Sequence, residues 1–365
     1  MKKEKEYLES KLIEDVQSLS RLAGAWGDLR QAVGHPFQEL GWYTAWARTI
    51  GATGGRRLKL MTLWDADRLL AVWPLSLRRF KGIRLLEWVG ARVTDYCDVV
   101  VAPRVDATDA LQILWRELQR KVGFDVLRLG QVRADARISA FLDAQGAWVE
   151  TREAAFGIPL TWASGADWLA SRSAKRRDDA RRRLRQMRKN GFEFKVWQSP
   201  EAPVLEALIE QKQAWVRARD LASFVTDPQG PEFVHAMARE MSAQGLLHLS
   251  AVCSAQRIVA CHVGFVRGDT FYFYMPTYDA AFAKQGFGNS LREFLIMSAC
   301  DQGLKKFDML LGAAGYKQQY DAVEEPVRTV VLPRGIIGRA AVAYYRRSVA
   351  RAAVSATGAS PSEAA

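Results

Sequence analysis

Apolar and polar positions run through one pattern twice along this chain. Residues 60–71 alternate as an apolar strand, a polar turn and a second strand, and residues 249–260 do the same. Leu60, Arg68 and Ala71 fall at the places of Leu249, Arg257 and Ala260. Each hairpin is followed by another strand candidate, over 83–89 and 270–275, and then by an amphipathic helix, over 106–122 and 288–301. A buried strand closes each run, opening on Phe124-Asp125 in one and Phe307-Asp308 in the other. Two matches in the same order, separated by similar elements, point to a duplicated unit. Three strands leading into a helix and a fourth strand give an α/β (α+β) fold with a mixed, largely antiparallel sheet flanked by helices in each copy. A doubly wound nucleotide-binding fold is excluded, because no strand, G-x-G-x-x-G turn and helix succession with a later acidic residue occurs.

Length agrees with two copies, since single cores stop growing at roughly 250–300 residues and the chain has 365. The expected division is a charged helical segment over 1–30, an N-terminal copy over 31–155, a C-terminal copy over 156–335, and a basic helix with a frayed tail over 336–365. Residues 164–190 read as one strongly basic helix.

The excess of 52 Lys+Arg over 40 Asp+Glu gives a net charge of +12, which favours anionic partners: a phosphorylated cofactor, a lipid headgroup or nucleic acid. The four cysteines sit in apolar stretches without C-x-x-C pairing, so neither a disulfide framework nor a zinc site is expected, and no metal. The N-terminus lacks an apolar signal core and no run of 18 apolar residues occurs, which predicts a cytoplasmic protein.

The stretch 272–303 carries the most chemistry: an aromatic strand, a loop, and a helix opening on Gly286-Phe287-Gly288-Asn289-Ser290. Glycines let the backbone approach a ligand closely, and free amides at a helix start attract phosphate. An ordinary cap by Asn289 or Ser290 is the alternative. This loop, behind a strand ending in Met275-Pro276-Thr277-Tyr278-Asp279, resembles the pyrophosphate loop of the GNAT acyltransferases. More narrowly, residues 35–46, 173–191, Tyr278-Asp279 with Gly286 and Gly288, and 307–317 resemble the cellulose-biosynthesis (CelD/BcsL) acetyltransferases, whose domain is similar to that of the Fem-type peptidoglycan aminoacyltransferases.

The resemblance implies two tandem GNAT-like domains. It implies an acyl-CoA donor (acetyl-CoA or longer), with Met275 and Thr277 offering backbone groups to the pantetheine and Gln285, Gly286, Phe287, Gly288, Asn289 and Ser290 holding the pyrophosphate. The usual Gln or Arg before the loop is Ala283 here, with Lys284 and Gln285 as substitutes. The N-terminal copy has no such loop and is expected to be structural. Relatives carry acidic residues before the Tyr316-Lys317 pair, where this chain has Ala313 and Ala314.

Acyl transfer needs a base, a polariser for the carbonyl and an acid for the thiolate. Candidates are His262, pointing either into the core or into a cleft beside Tyr274; Asp308, a base or an architectural carboxylate like Asp125; Tyr316 as acid; and Lys317, holding a carboxylate, phosphate or sugar oxygen. Arg177, Arg181, Arg185 and Arg188 share one helical face suited to anions. The expected function is transfer of an acyl group to an amine or hydroxyl of a cell-envelope polysaccharide or lipid precursor. Its alternatives are a Fem-like transfer from aminoacyl-tRNA and a degenerate scaffold of a polysaccharide or lipid synthase. Other nucleic acid is not expected, and residues 335–354, mixing apolar and basic positions, suit either the inner face of an anionic membrane or packing on the domain.

Overall fold

The computed structural model describes residues 8–53, 55–312 and 315–357. Its first half runs β1 (Leu8–Ile13), α1 (Val16–Arg21), α2 (Ala23–Leu29), α3 (Leu40–Arg48), β2 (Arg57–Leu58), β3 (Leu60–Asp65), β4 (Arg68–Trp73), β5 (Leu75–Phe80), β6 (Ile83–Trp88), β7 (Val100–Val101), α4 (Ala107–Lys121), β8 (Val126–Arg133), α5 (Ser139–Ala144) and β9 (Trp148–Pro159). The second runs α6 (Gly165–Ala170), α7 (Ala174–Lys189), β10 (Glu193–Trp197), α8 (Ala202–Arg217), α9 (Gly230–Ala243), β11 (Leu247–Cys253), β12 (Ile258–Arg267), β13 (Thr270–Tyr278), α10 (Phe287–Asp301), β14 (Lys306–Leu311), β15 (Val323–Pro333) and α11 (Gly335–Thr357).

The repeat is visible in the sheets. In the second half β10, β11, β12 and β13 pair antiparallel in turn, and β13 lies parallel to β14. The first half has the antiparallel β1–β3–β4 and β5–β6 pairs, and β6 lies parallel to β8. One strand differs instructively. In the second half β12 is continuous but bulged between Val263 and Phe265; in the first, Pro74 separates β4 from β5. Proline cannot donate to a ladder, so β4 stays in a four-stranded sheet while β5 enters the eleven-stranded one.

The last strands cross over. β9, which ends the first half, pairs with β14 of the second, and β15, which ends the second, pairs with β8 of the first; β9 and β15 also pair with each other. The result is a sheet of order β10-β11-β12-β13-β14-β9-β15-β8-β6-β5-β2. The division expected at 155/156 passes through β9.

Two local readings differ from expectation. Residues 8–13, expected to be helical, form β1 along β3, because Leu8, Ser10 and Leu12 alternate with a period of two and an edge strand is there to receive them. The basic stretch 164–190 is two helices, since Ser164 and Ser173 each cap a separate start, accepting from Asp167 N and Arg176 N.

The largest apolar cluster joins the halves. Phe37, Trp42 and Trp46 of the first half pack with Phe233, Phe265 and Met275 of the second. A second cluster lies under α10, built on Phe271, Phe273, Phe287 and Phe307, so the sheet around β13 is covered by α8 and α9 on one face and by α10 on the other.

Candidate active site

β13 and β14 stay paired only from Thr270–Lys306 to Tyr272–Asp308. Beyond that point β14 bulges at Leu310, whose φ is +58°, and the two parallel strands part. Asp308 fixes the bulge: its Oδ1 accepts from Leu310 N at 2.8 Å and from the Tyr96 hydroxyl at 2.8 Å. Lys306 pairs with its other oxygen at 3.1 Å. Asp308 is 1% exposed and its carboxylate is fully engaged, so it is architectural, tying the halves together; its counterpart Asp125 is clamped by Arg84 instead.

The far end of β13 leads into the glycine loop. Asp279 accepts from Ala281 N at 2.9 Å and from Arg257 at 2.6 Å, which fixes the turn. Gly286 then adopts a left-handed φ of +70° and begins α10 with no side-chain cap. Neither Asn289 nor Ser290 caps the helix: Asn289 Oδ1 accepts from Arg292 at 3.2 Å, and Ser290 is buried with its hydroxyl unpartnered. The corresponding helix of the first half, α4, is capped by its own Asp106, which accepts from Asp109 N; a carboxylate there opposes an anion.

A 160 Å³ pocket lies against this helix start, lined by Tyr278, Gly286, Gly288, Asn289 and Arg292 among others. Arg292 Nε, on a lining residue, is buried without a partner; so are Gln285 Oε1 and Ser290 Oγ, adjacent to lining residues in sequence, and Arg183 Nε, whose side chain passes beside Gly286. Buried polar groups are ordinarily satisfied, so this concentration beside an uncapped helix start fits a polar, anionic ligand. Met275, by contrast, is buried in the core between the halves, and Phe287 in the core under α10, leaving only their backbone for a ligand.

Arg292 and Arg183 were not among the sequence candidates. Arg292 lies 4.1 Å over the Tyr316 ring and 5.4 Å from that of Tyr320, held toward the pocket. Arg183, on the inner side of α7, grips Glu293 at 2.6 and 2.7 Å and passes beside Gly286. Together with Arg172 and Arg176 it lines a second, 290 Å³ hollow that reaches Asn289. The expected face behaves otherwise: Arg177 donates to the Ala170 carbonyl, Arg181 pairs with Asp178 at 3.3 Å, and Arg185 and Arg188 are exposed. The helical spacing was read correctly, but α10 docks against the opposite side of α7.

His262 is a correction. It is 0% exposed, stacked on Phe273 at 4.5 Å with Nε2 unpartnered and Nδ1 3.4 Å from the Ser250 hydroxyl. Burial, with His248 nearby, pushes its pKa well below the usual histidine range. It is a neutral core ring on the α10 face of the sheet and reaches no cleft. Tyr274 faces the other way and donates to the Val93 carbonyl at 2.6 Å; burial drives its pKa far up, so it keeps its proton and holds a loop.

That loop also carries a carboxyl the sequence did not reveal. Val93 is held by Tyr274, Thr94 by the Trp42 indole at 2.9 Å, and Tyr96 by Asp308; Asp95 lies between them. Burial raises the Asp95 pKa to about 7, with Lys317 and Lys212 drawing it down and Asp308 pushing it up. Lys317 is 3% exposed and donates to the Leu310 and Leu311 carbonyls at 2.9 and 2.7 Å. Burial brings its pKa down to about 8, against the pull of Asp95 and Asp308. The two halves thus place a carboxyl and an ammonium, both poised near neutrality, beside the parted strands. Tyr316 remains a protonated hydroxyl, its pKa raised by burial in spite of Arg292. Ala313 and Ala314 lie outside the described residues.

A parted pair of parallel strands, an uncapped helix start behind a glycine loop, and two copies of the unit fit what the resemblance to the GNAT acyltransferases implies. Residues 174–318 match the family model of the acetyltransferase (GNAT) domain. The match lies in the second half of the chain, within a fold of two similar halves. Among solved structures the chain is similar to FemX, at 10% identity over 88% of this chain and 96% of that one, with a TM-score of 0.58. It is similar to the C-terminal domain of a putative lysylphosphatidylglycerol synthetase from Agrobacterium fabrum, at 13% identity over 91% and 96%, TM-score 0.56. A tandem GNAT protein of the clavulanic acid pathway aligns at 13% identity over 90% and 99%, TM-score 0.52. At these identities the likeness is one of fold. No curated protein sequence matches the chain.

Proposed function

We propose that this protein transfers an acyl group from acyl-CoA to an amine or hydroxyl of a cell-envelope lipid or polysaccharide precursor, at the inner face of the membrane. The observation that carries the donor half of this reading is the uncapped start of α10, with the partnerless Arg292 Nε on a residue lining the pocket against it. Gly286 and Gly288 let the diphosphate reach the helix amides, and Arg292 supplies a fixed positive charge. The thioester supplies an activated carbonyl. Asp95 accepts the proton of the acceptor, Lys317 keeps a positive charge beside it and holds the Leu310 bulge, and the Tyr316 hydroxyl supplies a proton to the departing thiolate.

Support for the acceptor is coarser. One neighbour in fold is the C-terminal domain of a protein named as a putative lysylphosphatidylglycerol synthetase. The C-terminal helix α11 exposes Ile336, Ile337 and Tyr344 beside Arg339, Arg346 and Arg347, a composition suited to an anionic lipid surface. No helix among the described residues is long and apolar enough to cross a membrane. The cellulose-biosynthesis resemblance keeps an exopolysaccharide among the candidate acceptors.

Titration calorimetry with CoA and acetyl-CoA, followed by thiol release in the presence of envelope amines and lipids, tests the reading. Micromolar CoA binding is expected; no binding, together with salt-sensitive retention of aminoacyl-tRNA, would replace acyl-CoA by a charged tRNA as donor.

A further inference from the structure

The cations at the start of α7 are not explained by the stability of that helix. Lys175, Arg176 and Arg177 occupy its first turn, which holds no acidic residue, although the positive end of a helix disfavours cations. Arg177 donates to the Ala170 and Arg172 carbonyls, and Arg176 to the Gln319 carbonyl. The neighbouring carboxylates Asp178, Asp179 and Asp321 pair with Arg181, Arg182 and Arg172. Among the described residues, Lys175 and Arg176 therefore have no carboxylate of their own.

Both line the 290 Å³ hollow between α7 and the start of α10. Asn289 lines this hollow and the pocket at the helix start alike, and Arg183, a third cation of the lining, passes beside Gly286. The two spaces thus adjoin where a diphosphate would lie. Of the carboxylates in the lining, Asp179 is held by Arg182 at 2.7 Å and Glu293 by Arg183 at 2.6 and 2.7 Å. Arg172 is wedged 5.3 and 5.4 Å from the Trp162 and Trp168 rings. Trp168 is 1% exposed, with Tyr320 stacked on it at 6.4 Å, so no indole face is free for a base and the hollow offers charge. Its position excludes the acceptor. Tyr320 belongs to the cluster under α10, whereas the Asp95 loop hangs from Tyr274 on the other face of the sheet.

We propose that Lys175 and Arg176 bind the 3′-phosphate on the ribose of CoA, so that the donor is free acyl-CoA and not an acyl group on the phosphopantetheine of a carrier protein. The ribose of CoA bears the diphosphate at one end and a phosphomonoester a few bonds away, which suits two adjoining anion sites; carrier-bound phosphopantetheine has one phosphate and no ribose. The inference rests on the acyl-CoA reading above and adds the residues that select the nucleotide. One exposed ion pair strengthens binding up to about fivefold, so two are expected to favour CoA over dephospho-CoA roughly tenfold at low salt.

The test is titration calorimetry at low ionic strength with CoA and with dephospho-CoA, which lacks only the 3′-phosphate. It is run on wild type, on the double variant Lys175→Gln/Arg176→Gln, and on Lys175→Gln alone, which serves if the double variant misfolds. The expected result is a roughly tenfold preference for CoA in wild type, about threefold in the single variant and under twofold in the double, with dephospho-CoA bound alike by all three. Equal affinity of wild type for the two ligands overturns the 3′-phosphate assignment and leaves the donor reading standing, as does a preference that the variants leave unaltered. Equal loss of both ligands in the variants also overturns it, because the cations would then act on the diphosphate. Absence of binding by either ligand to wild type overturns the donor reading and this inference with it.

Discussion

Two glycines, two residues apart on one loop, should respond to the same substitution with opposite signs of stability. At Gly286 the φ of +70° is left-handed, which costs an L-residue about 1–2 kcal/mol. A Cβ there would also meet Arg183 Cδ at 3.0 Å and disturb the Arg183–Glu293 pair. Gly286→Ala is therefore expected to destabilise by about 2 kcal/mol. Gly288 lies inside the first turn of α10 with no positive φ, and a Cβ there would meet only the Tyr278 ring, at 3.4 Å. Gly288→Ala should leave the fold unchanged or stabilise it by about 0.5 kcal/mol through the loss of backbone freedom in the unfolded chain. Donor binding should fall in both, since the methyl group of Gly288→Ala stands where a phosphate must approach the amides. Losing one charge-assisted amide contact weakens CoA roughly ten- to a hundredfold. Urea unfolding and calorimetry with CoA, run on both variants, separate the effects. A Gly288→Ala protein that binds CoA as wild type does would refute the close-approach argument, whatever its stability.

The acid–base pair predicts a bell-shaped pH–rate profile: activity rises through about pH 7 as Asp95 ionises and falls above about 8 as Lys317 loses its charge. Asp95→Asn should remove the acid limb and lower kcat on the order of 100-fold; a flat profile in wild type would contradict the assignment. Because the folded Lys317 gives up its proton below the ordinary 10.5, the unfolded chain binds more protons between about pH 8 and 10.5. Lys317 therefore adds stability as pH rises across that window, while the thiols of Cys97, Cys253, Cys261 and Cys300, raised by burial, remove it above about pH 9, so the denaturation midpoint of wild type should gain on that of Lys317→Met as pH rises. His262→Phe, which exchanges a ring with an unpartnered nitrogen for an apolar one, should keep wild-type activity within about twofold in a thiol-release assay. Arg292→Gln should weaken CoA at least tenfold, whereas the exposed Arg185→Gln should change it less than twofold in the same titration. Tyr96→Phe strips a hydrogen bond from the buried Asp308 carboxylate and should cost about 1–3 kcal/mol of stability by urea unfolding.

What the sequence disclosed was local. The hairpins at 60–71 and 249–260, the helices at 107–121 and 287–301 and the glycine loop were all legible, because alternation, helical periodicity and turn residues act over a few neighbours. Its blind spots were contacts between distant segments. Asp95 carries no motif, and only the fastening of its loop to Tyr274 and Asp308, some 180 to 210 residues away, brings it to the site. Arg183 was passed over for Arg181 and Arg185 because periodicity defines the faces of a helix without saying which one is docked. His262 looked like a catalytic base because strand alternation leaves two sides open, and the aromatic rings on one of them decide the matter.

The traded strands β9 and β15 constrain how the chain can come into being. The first half cannot complete its sheet until residues 323–333 leave the ribosome, because β8 awaits β15. Until then a growing chain exposes an unpaired edge beside β8, open to other strands. The two copies can thus neither fold one after the other nor be inherited separately: a gene cut between them would yield fragments that each lack the strand closing their own sheet.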